Sequence, residues 1–243
     1  MLQLDRFSRT FENGSGVKEA TFTVHKGEII GLIGKCGCGK STLLRSIAGL
    51  DTRFQGELLI EGKPMRGPHP EIGVVFQEAL LMPWLTVIQN VAFGLKGTKA
   101  EKEKIARTYL QKVGLEGTEH LYVRQLSGGM AQRVSIARAL APQPKLLLMD
   151  EPFSALDAFT KMQLQDLILD IWKKEQLTVL MVTHDIDEAL YLCDRIVLLA
   201  GKPSTVKMIF EVPEERPRGR GSVALAKMKT EILKHLELES VHV

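Results

Sequence analysis

Eight consecutive residues near the start of the chain have the composition of a phosphate-binding loop. They run Gly34-Lys35-Cys36-Gly37-Cys38-Gly39-Lys40-Ser41 and satisfy the pattern G-x-x-x-x-G-K-[ST] at every required position. Glycines allow the backbone to curve closely around an anion, so we expect the N–H groups of Gly37, Gly39 and Lys40 to surround a β-phosphate. The Lys40 ammonium then neutralises β and γ oxygens, and the Ser41 hydroxyl ligates Mg²⁺. The alternative is a chance glycine-rich turn, which the predicted strand and helix on either side disfavour.

A pair of carboxylates follows a second apolar segment. Residues 145–149 predict a buried strand, after which come Asp150 and Glu151. A carboxylate at the position of Asp150 can bind Mg²⁺ or its water shell. The Glu151 carboxylate can accept a proton from, or orient, the water that attacks a γ-phosphorus. Adjacent Asp and Glu are also common in solvated turns, so the catalytic interpretation depends on the residues around them.

Apolar runs alternate with amphipathic stretches along the chain, which predicts helices packed on a sheet. A strand over residues 28–34 leads into the loop, and a helix over residues 40–48 follows it and ends at Gly49. Further strands are predicted over residues 58–60, 72–76, 145–149, 178–183, 195–199 and 206–210. Between residues 77 and 144 the strand pattern disappears, and helices are predicted over residues 99–113 and from near Ser127. This interval is therefore predicted to be an inserted helical subdomain.

Composition and charge favour an ordinary globular chain. Of 243 residues, 44% are hydrophobic and 25% charged, and the net charge of +3 does not indicate nucleic-acid binding. No apolar run approaches the roughly 18 residues of a membrane span, and the first residues lack a signal-sequence pattern. Three cysteines, two of them separated by one residue, suit a reducing compartment better than a disulfide framework. We therefore expect the chain to stay in the cytoplasm, with any membrane role supplied by a partner.

The heptapeptide Leu126-Ser127-Gly128-Gly129-Met130-Ala131-Gln132 lies between the phosphate loop and the acidic strand end. A Ser-Gly-Gly turn at a helix start is common by itself. In this position the run resembles the signature of the ATP-binding cassette (ABC) family, and the resemblance covers roughly residues 1–210. It implies an α/β fold: a P-loop NTPase core, with a RecA-like mixed sheet and flanking helices, plus an antiparallel β part and an inserted α-helical subdomain.

The resemblance also implies how the chain is divided. Residues 1–76 and 145–212 are predicted to form the ATP-binding core, and residues 77–144 the helical subdomain that carries the signature. Residues 213–221 are rich in Pro, Arg and Gly. Residues 213–243 are therefore predicted to be a C-terminal hinge followed by a helix over residues 223–238.

Further single residues match positions of the family. Gln77 resembles the Q-loop glutamine that senses Mg²⁺ and the attacking water, and His184 the switch histidine that contacts the γ-phosphate. Residues 154–157 resemble the D-loop, which strengthens the catalytic interpretation of Glu151. Phe11 lies close to the position of the family's adenine-stacking aromatic, where many members have tyrosine. A structural histidine and an ordinary strand-edge phenylalanine are the alternatives.

The resemblance thus implies ATP and Mg²⁺ as cofactors. The predicted catalytic residues are Glu151, His184 and Gln77, and the predicted Mg²⁺ ligands are Ser41, Gln77 and Asp150. The predicted nucleotide contacts are Phe11, Gly34, Lys35, Cys36, Gly37, Cys38, Gly39, Lys40, Ser41, Thr42, Ser127, Gly128, Gly129 and Gln132. Because the signature donors cannot easily fold back onto the loop of their own chain, an ATP-dependent head-to-tail homodimer is expected to supply them in trans.

Several residues near these motifs are assigned to structure or reactivity. Asp185 and Glu188 are expected to form a capping box for a helix over residues 186–194. Cys193 is expected to be a small core residue. Cys36 stands where family members commonly have a small residue such as serine, and we hypothesise that it makes ATP binding sensitive to thiol oxidation.

The apolar stretch over residues 78–87 contains Trp84. Such a stretch is usually core. Its loop position and Pro83 also fit a partly exposed groove that receives a short helix of a membrane subunit. Both interpretations stay open, and Trp84 is the residue to test.

Within the family, importer ATPases of the nitrate, sulfonate and taurine group are resembled by residues 75–78, 83–86, 126–139, 183–189 and 216–220. The implied protein lies on the inner face of the cell membrane and drives integral membrane permease subunits, which an extracytoplasmic solute-binding protein supplies. One alternative is a soluble ABC ATPase acting on ribosomes or DNA, which usually carries two cassettes or long insertions. The other is a non-enzymatic nucleotide switch, which Glu151 and His184 disfavour.

Overall fold

A strand of five buried residues, Ile29–Ile33, lies in the sheet of the first of two structural units. The computed structural model describes residues 1–237. One unit joins Met1–His69 to the chain from Thr178 onward, and the other comprises Pro70–Leu177. In chain order the elements are β1 (Leu2–Thr10), β2 (Gly16–Val24), β3 (Ile29–Ile33), α1 (Lys40–Ile47), β4 (Gln55–Ile60), β5 (Lys63–Pro64), β6 (Ile72–Val75), α2 (Val87–Ala92), α3 (Lys99–Lys112), a 3₁₀ turn (Val123–Gln125), α4 (Gly128–Leu140), β7 (Leu146–Asp150), α5 (Ala158–Glu175), β8 (Thr178–Val182), α6 (Ile186–Leu192), β9 (Arg195–Gly201), β10 (Ser204–Glu211) and α7 (Val223–Glu237).

The first unit combines parallel and antiparallel strands in the order β5-β4-β1-β2-β10-β9-β3-β8. β3 pairs in parallel with β8 and with β9, and every residue of β3 and β8 is buried, as expected for parallel strands covered on both faces. The pairs β1–β2, β1–β4 and β9–β10 are antiparallel. The predicted mixed α/β fold with an antiparallel part is confirmed.

The individual strands β1 and β2 were not among the strands predicted from the sequence. Both are irregular, since Arg6 and Glu19 have positive φ angles of 45° and 50° and the β1–β2 register shifts between Leu4 and Arg9. A bulge of this kind moves an apolar side chain out of the strict two-residue alternation. The pattern that identifies a half-buried strand is therefore interrupted in the middle of β1.

The loop-to-helix junction agrees with the sequence prediction. Gly39 has a φ of 102° and caps α1, which begins at Lys40 as predicted. The helix ends at Ile47, with Ala48 as its C-cap and Gly49 in the left-handed region at φ 73°. A glycine at this position ends a helix without steric cost.

The second unit contains a parallel strand pair, β6 and β7, and the helices α2 to α5. It includes all of the predicted helical subdomain, residues 77–144. It also includes the residues that form β6, β7 and α5, which lie in the ranges predicted for the ATP-binding core. The predicted domain boundaries stay a prediction. α3 and α4 correspond to the predicted helices, and α3 begins with a reciprocal capping box between Thr98 and Glu101. α2 and α5 were not predicted.

The segment Pro213–Gly221, predicted to be a hinge, makes specific contacts in this structure, and the hinge stays a prediction. Arg218 of this segment is only 5% exposed and donates hydrogen bonds to backbone carbonyls around the end of α6. The segment is thus held by specific polar contacts. α7 follows at Val223 as predicted and is described as far as Glu237, so the predicted last residue, Leu238, lies outside the described residues. None of the helices within residues 1–237 has the length and hydropathy of a membrane span.

Candidate functional site

The phosphate loop joins the buried strand β3 to the first turn of α1. Gly39 has to be glycine for two reasons, its positive φ of 102° and its close approach to β2. A Cβ atom at Gly39 would lie 2.8 Å from the backbone carbon of Gly16 and 2.8 Å from the side chain of Val17. The sequence therefore brings the loop into direct contact with the start of β2.

Lys40 is the first residue of α1 and is 5% exposed. Its Nζ donates to the carbonyl oxygens of Gly34 at 2.8 Å and of Lys35 at 3.1 Å. The ammonium is consequently held inside the curve of its own loop. A lysine so placed presents a positive charge to any phosphate that the loop backbone surrounds.

Ser204, the first residue of β10, supports the phosphate loop and was not predicted from the sequence. Its buried hydroxyl is shared between the carbonyl oxygens of Cys38 and Gly16, at 2.5 and 3.3 Å. One serine thus connects β10, β2 and the phosphate loop. The sequence contains no signal for this role, because a serine at a strand start is common.

His184 lies at the same edge of the sheet as the phosphate loop. β8 ends at Val182, which pairs in parallel with Leu32 of β3, so the residues after both strands emerge together. Thr183 donates its hydroxyl to the Glu188 carboxylate at 2.5 Å and accepts the backbone N–H of Asp185 at 3.0 Å. The exposed His184 is therefore placed between two anchored residues.

The predicted capping box at α6 is correct in one half only. The Asp185 carboxylate accepts the backbone N–H groups of Asp187 and Glu188, so Asp185 is the N-cap. The reciprocal bond differs, because the Asp185 N–H donates to Thr183 and the Glu188 carboxylate also binds Thr183. The Thr183 hydroxyl, two residues before the N-cap, thus binds both the Asp185 N–H and the Glu188 carboxylate, which the capping box would have joined to each other.

Phe11 follows β1 and is 41% exposed. Its position beside the phosphate loop follows from two contacts, since Thr10 pairs with Gly16 and Gly16 approaches Gly39. The Arg9 guanidinium stacks on the Phe11 ring with its carbon 4.3 Å from the ring centroid. A partly exposed ring supported in this way is suited to stacking with a flat base.

Asp51 fixes the orientation of Arg9. Its carboxylate accepts a hydrogen bond from Arg9 Nε at 2.9 Å, and it also binds Arg53. The backbone N–H of Arg53, with the hydrogen bonds from Arg9 and Arg53, lowers the pKa of Asp51 to about 2. No local sequence pattern predicts this contact, because Arg9 and Asp51 lie 42 residues apart along the chain.

In the second unit, the acidic pair and Gln77 follow neighbouring parallel strands. Val75 of β6 is paired with Met149 of β7, so Gln77 and Asp150 emerge at the same edge of this strand pair. Glu151 has a φ of 45°, a left-handed conformation that costs a non-glycine residue free energy. The Ser154 hydroxyl donates to the Glu151 carbonyl at 3.0 Å and stabilises that turn. Strain at a carboxylate in a candidate site is an observation that favours function.

The signature residues open α4. Ser127 is its N-cap, and its hydroxyl accepts the backbone N–H of Met130 at 3.2 Å. Ser127 and Gly128 are exposed, so the start of α4, where N–H groups lack intrahelical carbonyl partners, lies at the surface of the unit. Gly129 packs closely on α5, because a Cβ atom there would lie 2.6 Å from the Thr160 side chain and would require that side chain to shift.

Gln132 lies apart from the exposed signature residues. It is 4% exposed, and its Nε2 donates to the carbonyl oxygen of Phe76 at 3.2 Å. This placement favours a link between α4 and the residue before Gln77 over the predicted nucleotide contact.

The three cysteines occupy different environments. Cys36 is exposed in the phosphate loop, whereas Cys38 is buried with its sulfur 4.0 Å from Lys40 Nζ. Cys193 is fully buried, as predicted for a core residue, and burial raises the pKa of its thiol to about 12.

A buried parallel strand, a glycine-rich loop and a helix that opens with lysine and serine define a phosphate-loop nucleotide-binding protein. Residues 17–154 match the family model described as ABC transporter, and the chain belongs to this family. The predicted family and ATPase activity are confirmed by this match and by the relatives that follow.

Proteins similar to this chain include transporter ATP-binding subunits from several organisms. The chain is 48% identical, over 98% of its length and 92% of the relative, to an ABC transporter ATP-binding protein of Methanocaldococcus jannaschii. It is 45% identical, over 100% of its length and 98% of the relative, to the aliphatic sulfonates import ATP-binding protein SsuB 1 of Pseudomonas aeruginosa.

Two solved structures share the fold. One is the ATP-binding cassette MJ0796 in a dimeric post-hydrolysis state bound to ADP and Pi, with a TM-score of 0.76 and 31% identity over 88% of this chain and 100% of that chain. The other is cbiO1 from Clostridium perfringens, part of the cbiONQ ABC transporter complex, with a TM-score of 0.80 and 25% identity over 98% of this chain and 94% of that chain.

Proposed function

We propose that this chain is the ATPase subunit of an ABC importer and that it acts as a head-to-tail homodimer on permease subunits at the inner face of the membrane. The structural observation that carries the proposal is the exposed start of α4, where Ser127 is the N-cap and Gly128 opens the helix at the surface of the unit. The similarity to proteins named for aliphatic sulfonate import supports the importer assignment.

Each motif has a defined task in ATP hydrolysis. The loop backbone and Lys40 bind the β- and γ-phosphates and neutralise their charge. Glu151 orients the attacking water and accepts its proton, and His184 donates a hydrogen bond to the γ-phosphate. Gln77 positions the same water. Phe11 stacks on adenine with Arg9 supporting its opposite face.

The predicted Mg²⁺ ligands have suitable chemistry. Ser41, Asp150 and Gln77 supply a hydroxyl, a carboxylate and an amide oxygen, which are the hard oxygen donors that Mg²⁺ binds. When bound, the ion neutralises the charge that develops on the phosphate oxygens.

Dimerisation supplies the remaining donors. In the proposed dimer, Ser127, Gly128 and Gly129 of one copy contact the γ-phosphate held by the other copy, at the positive end of α4. Two ATP molecules then hold the halves together, and hydrolysis removes the contacts that do so. The dimeric state of the similar cassette MJ0796 supports this arrangement.

The surface proposed for the permease lies in the second unit. Trp84 is 72% exposed, and Leu80 and Phe93 are also large exposed apolar residues. Exposed apolar side chains of this size commonly mark a protein interface. This favours the groove interpretation for the part of residues 78–87 that contains Trp84, while Val87 is fully buried core.

The transported solute is proposed to be a small oxyanion such as an alkyl sulfonate, taurine or nitrate. It reaches the permease from an extracytoplasmic solute-binding protein, so the ATPase subunit itself does not contact it. The sulfonate importers among the relatives support this class.

The central test compares the parent chain with Glu151→Gln by light scattering with ATP and Mg²⁺, alongside phosphate release. We expect the variant to form a stable ATP-bound dimer with turnover reduced by about 10²- to 10⁴-fold. The parent is expected to hydrolyse ATP and to dissociate after each turnover. Turnover by a chain that stays monomeric at every concentration would contradict the trans role of Ser127.

The importer role is tested by using the chain to capture partners from solubilised membranes. Recovery of ribosomes instead of integral membrane proteins would contradict the importer role.

A further inference from the structure

Arg218 is a buried cation bound to the end of α6. Its guanidinium donates to the carbonyl oxygens of Leu190 at 2.8 Å, Cys193 at 2.6 Å and Tyr191 at 3.4 Å. It also donates to two carbonyls of its own segment, those of Val212 and Glu214. A helix leaves its last carbonyls without intrahelical partners, and a cation is favoured there by the helix dipole. Arg218 therefore satisfies the C-terminal end of α6.

Three further cations of the C-terminal segment contact the same helix or the residues at its end. Arg216 donates to the Leu192 carbonyl at 2.6 Å and forms an ion pair with Asp194 at 2.9 Å. The Arg220 guanidinium lies 3.9 Å from the centroid of the Tyr191 ring. We call the four residues Arg216, Arg218, Arg220 and Lys229 the C-terminal clasp.

Lys229 of α7 contacts the opposite end of α6. Its Nζ forms an ion pair with the Asp187 carboxylate at 2.6 Å, in the first turn after His184. Both side chains are substantially exposed, so this pair contributes little free energy by itself. Its importance is positional, because it connects α7 to the turn that carries the switch histidine.

α6 is packed tightly on the strand that leads into the phosphate loop. A Cβ atom at Gly31 of β3 would lie 2.8 Å from Cys193 Sγ and 3.5 Å from the Ala189 side chain. The Asp194 carboxylate, which Arg216 binds, also accepts the backbone N–H of Ile29 at 2.8 Å. A shift of α6 along β3 would therefore break several contacts at once.

We propose that the C-terminal clasp positions His184 for ATP hydrolysis by fixing α6 against β3. The inference rests on the proposed role of His184 at the γ-phosphate. Thr183, Asp185 and Glu188 join the histidine rigidly to the start of α6. The position of the imidazole thus follows the position of the helix, which the three arginines of the clasp hold at its C-terminal end and Lys229 contacts in its first turn. Arg218 is a positioning residue and does not touch the nucleotide.

The test compares Arg218→Met with a matched variant, Arg195→Met. Arg195 is also largely buried, begins β9 one residue after Asp194, and donates to the Thr23 carbonyl and to Glu28. We expect Arg218→Met to lower kcat about tenfold with KM for ATP within about twofold, because the phosphate loop is intact. Arg218→Lys keeps the charge but has fewer hydrogen-bond donors, so its kcat is expected to lie between those of the parent and Arg218→Met. Arg195→Met is expected to keep the parental kcat at temperatures below its unfolding midpoint.

A double variant separates positioning from general destabilisation. If Arg218 acts through His184, Arg218→Met lowers the residual kcat of His184→Ala by less than about twofold, because coupled residues are not additive. Parental kcat in Arg218→Met, an equal loss in Arg195→Met, or a full further loss in the double variant would each overturn the proposal. If Arg218→Met does not fold, Arg218→Lys carries the same comparison. Parental turnover by His184→Ala would instead overturn the proposed role of the histidine.

Discussion

The side-chain amide of Gln132 donates a hydrogen bond of 3.2 Å to the backbone carbonyl of Phe76. Gln132 belongs to the helix that the signature opens, and Phe76 immediately precedes Gln77. The bond is partly buried and joins two motifs of the second unit that lie 56 residues apart along the chain. It ties the signature helix α4 directly to the backbone just before Gln77.

Replacing Gln132 by leucine is expected to destabilise this unit. The change keeps similar volume but leaves the Phe76 carbonyl unpaired, which costs about 1–3 kcal/mol. For a chain of this length each kcal/mol corresponds to about 2–4 °C in the thermal midpoint. Differential scanning calorimetry measures the shift. The control is Gln163→Leu, at an exposed position of α5, and equal midpoints for the two variants would refute the role assigned to Gln132.

Lys40→Met is expected to weaken ATP binding by about 10- to 100-fold, because charge-assisted hydrogen bonds to phosphate are worth about 1.5–3 kcal/mol. Equilibrium titration with a fluorescent ATP analogue measures the affinity without hydrolysis. Lys26→Met removes an exposed lysine before β3 and serves as the charge-matched control. Unchanged affinity in Lys40→Met would contradict the function given to the loop.

The contacts of the Asp51 carboxylate predict a pH-dependent contribution to stability, because the backbone N–H of Arg53 and the side chains of Arg9 and Arg53 lower its pKa. Asp51 has its pKa lowered from 3.8 to about 2, so its folded form is stabilised above pH 3.8 and loses that stabilisation as the pH falls through 2. The free energy of unfolding of the parent should exceed that of Asp51→Asn by a constant amount from pH 7 to pH 5. That difference should shrink steadily at lower pH. Urea titrations at each pH measure the free energy of unfolding of both proteins. A difference independent of pH would rule out the ionised Asp51 carboxylate and its contacts as the source of the difference.

Cys36 is expected to be alkylated before the other two thiols, because Cys38 and Cys193 are buried and the pKa of Cys193 is raised to about 12. Mass spectrometry of the partly alkylated chain identifies the modified position. Because an adduct on the loop obstructs the phosphates, we expect ATPase activity to fall in proportion to modification at Cys36. Cys36→Ser should retain activity and become resistant. Full activity after stoichiometric alkylation of Cys36 would contradict the thiol-sensitivity hypothesis.

Trp84→Ala is expected to leave ATP hydrolysis by the isolated chain unchanged and to abolish recovery of membrane subunits. The indole is 72% exposed, so its removal costs the fold little, whereas an exposed aromatic contributes strongly to an interface. Phe159→Ala removes another exposed aromatic, at the start of α5, as the control. Undiminished capture of membrane subunits by Trp84→Ala would place the permease surface elsewhere.

Local sequence patterns predicted much of the candidate site. Gly39, Lys40 and Gly49 mark the boundaries of α1 because a left-handed cap and a left-handed stop both require a special backbone conformation, and the helix lies between them as predicted. The strand β7 and its acidic end were equally clear, since four apolar residues precede Asp150. These features depend on neighbours within a few residues.

The features that the sequence did not reveal depend on distant partners. The composition of Pro213–Gly221 does not reveal that the Arg218 guanidinium donates to carbonyls 25 to 28 residues earlier in the chain. Ser204 and Asp51 have roles for the same reason, since a hydroxyl or a carboxylate carries no local mark of the group that it will bind. The strands β1 and β2 were missed because their bulges disturb the alternation of apolar residues.

The Ser204 hydroxyl binds the Cys38 carbonyl across 166 residues, and this has a consequence for biosynthesis. Strands β8 and β9, on either side of β3, also follow residue 177. When the ribosome has just added Leu177, the second unit, Pro70–Leu177, is complete in sequence, whereas the strand that carries the phosphate loop still lacks both neighbours. Translation order thus lets the signature helix form before the nucleotide loop acquires its support.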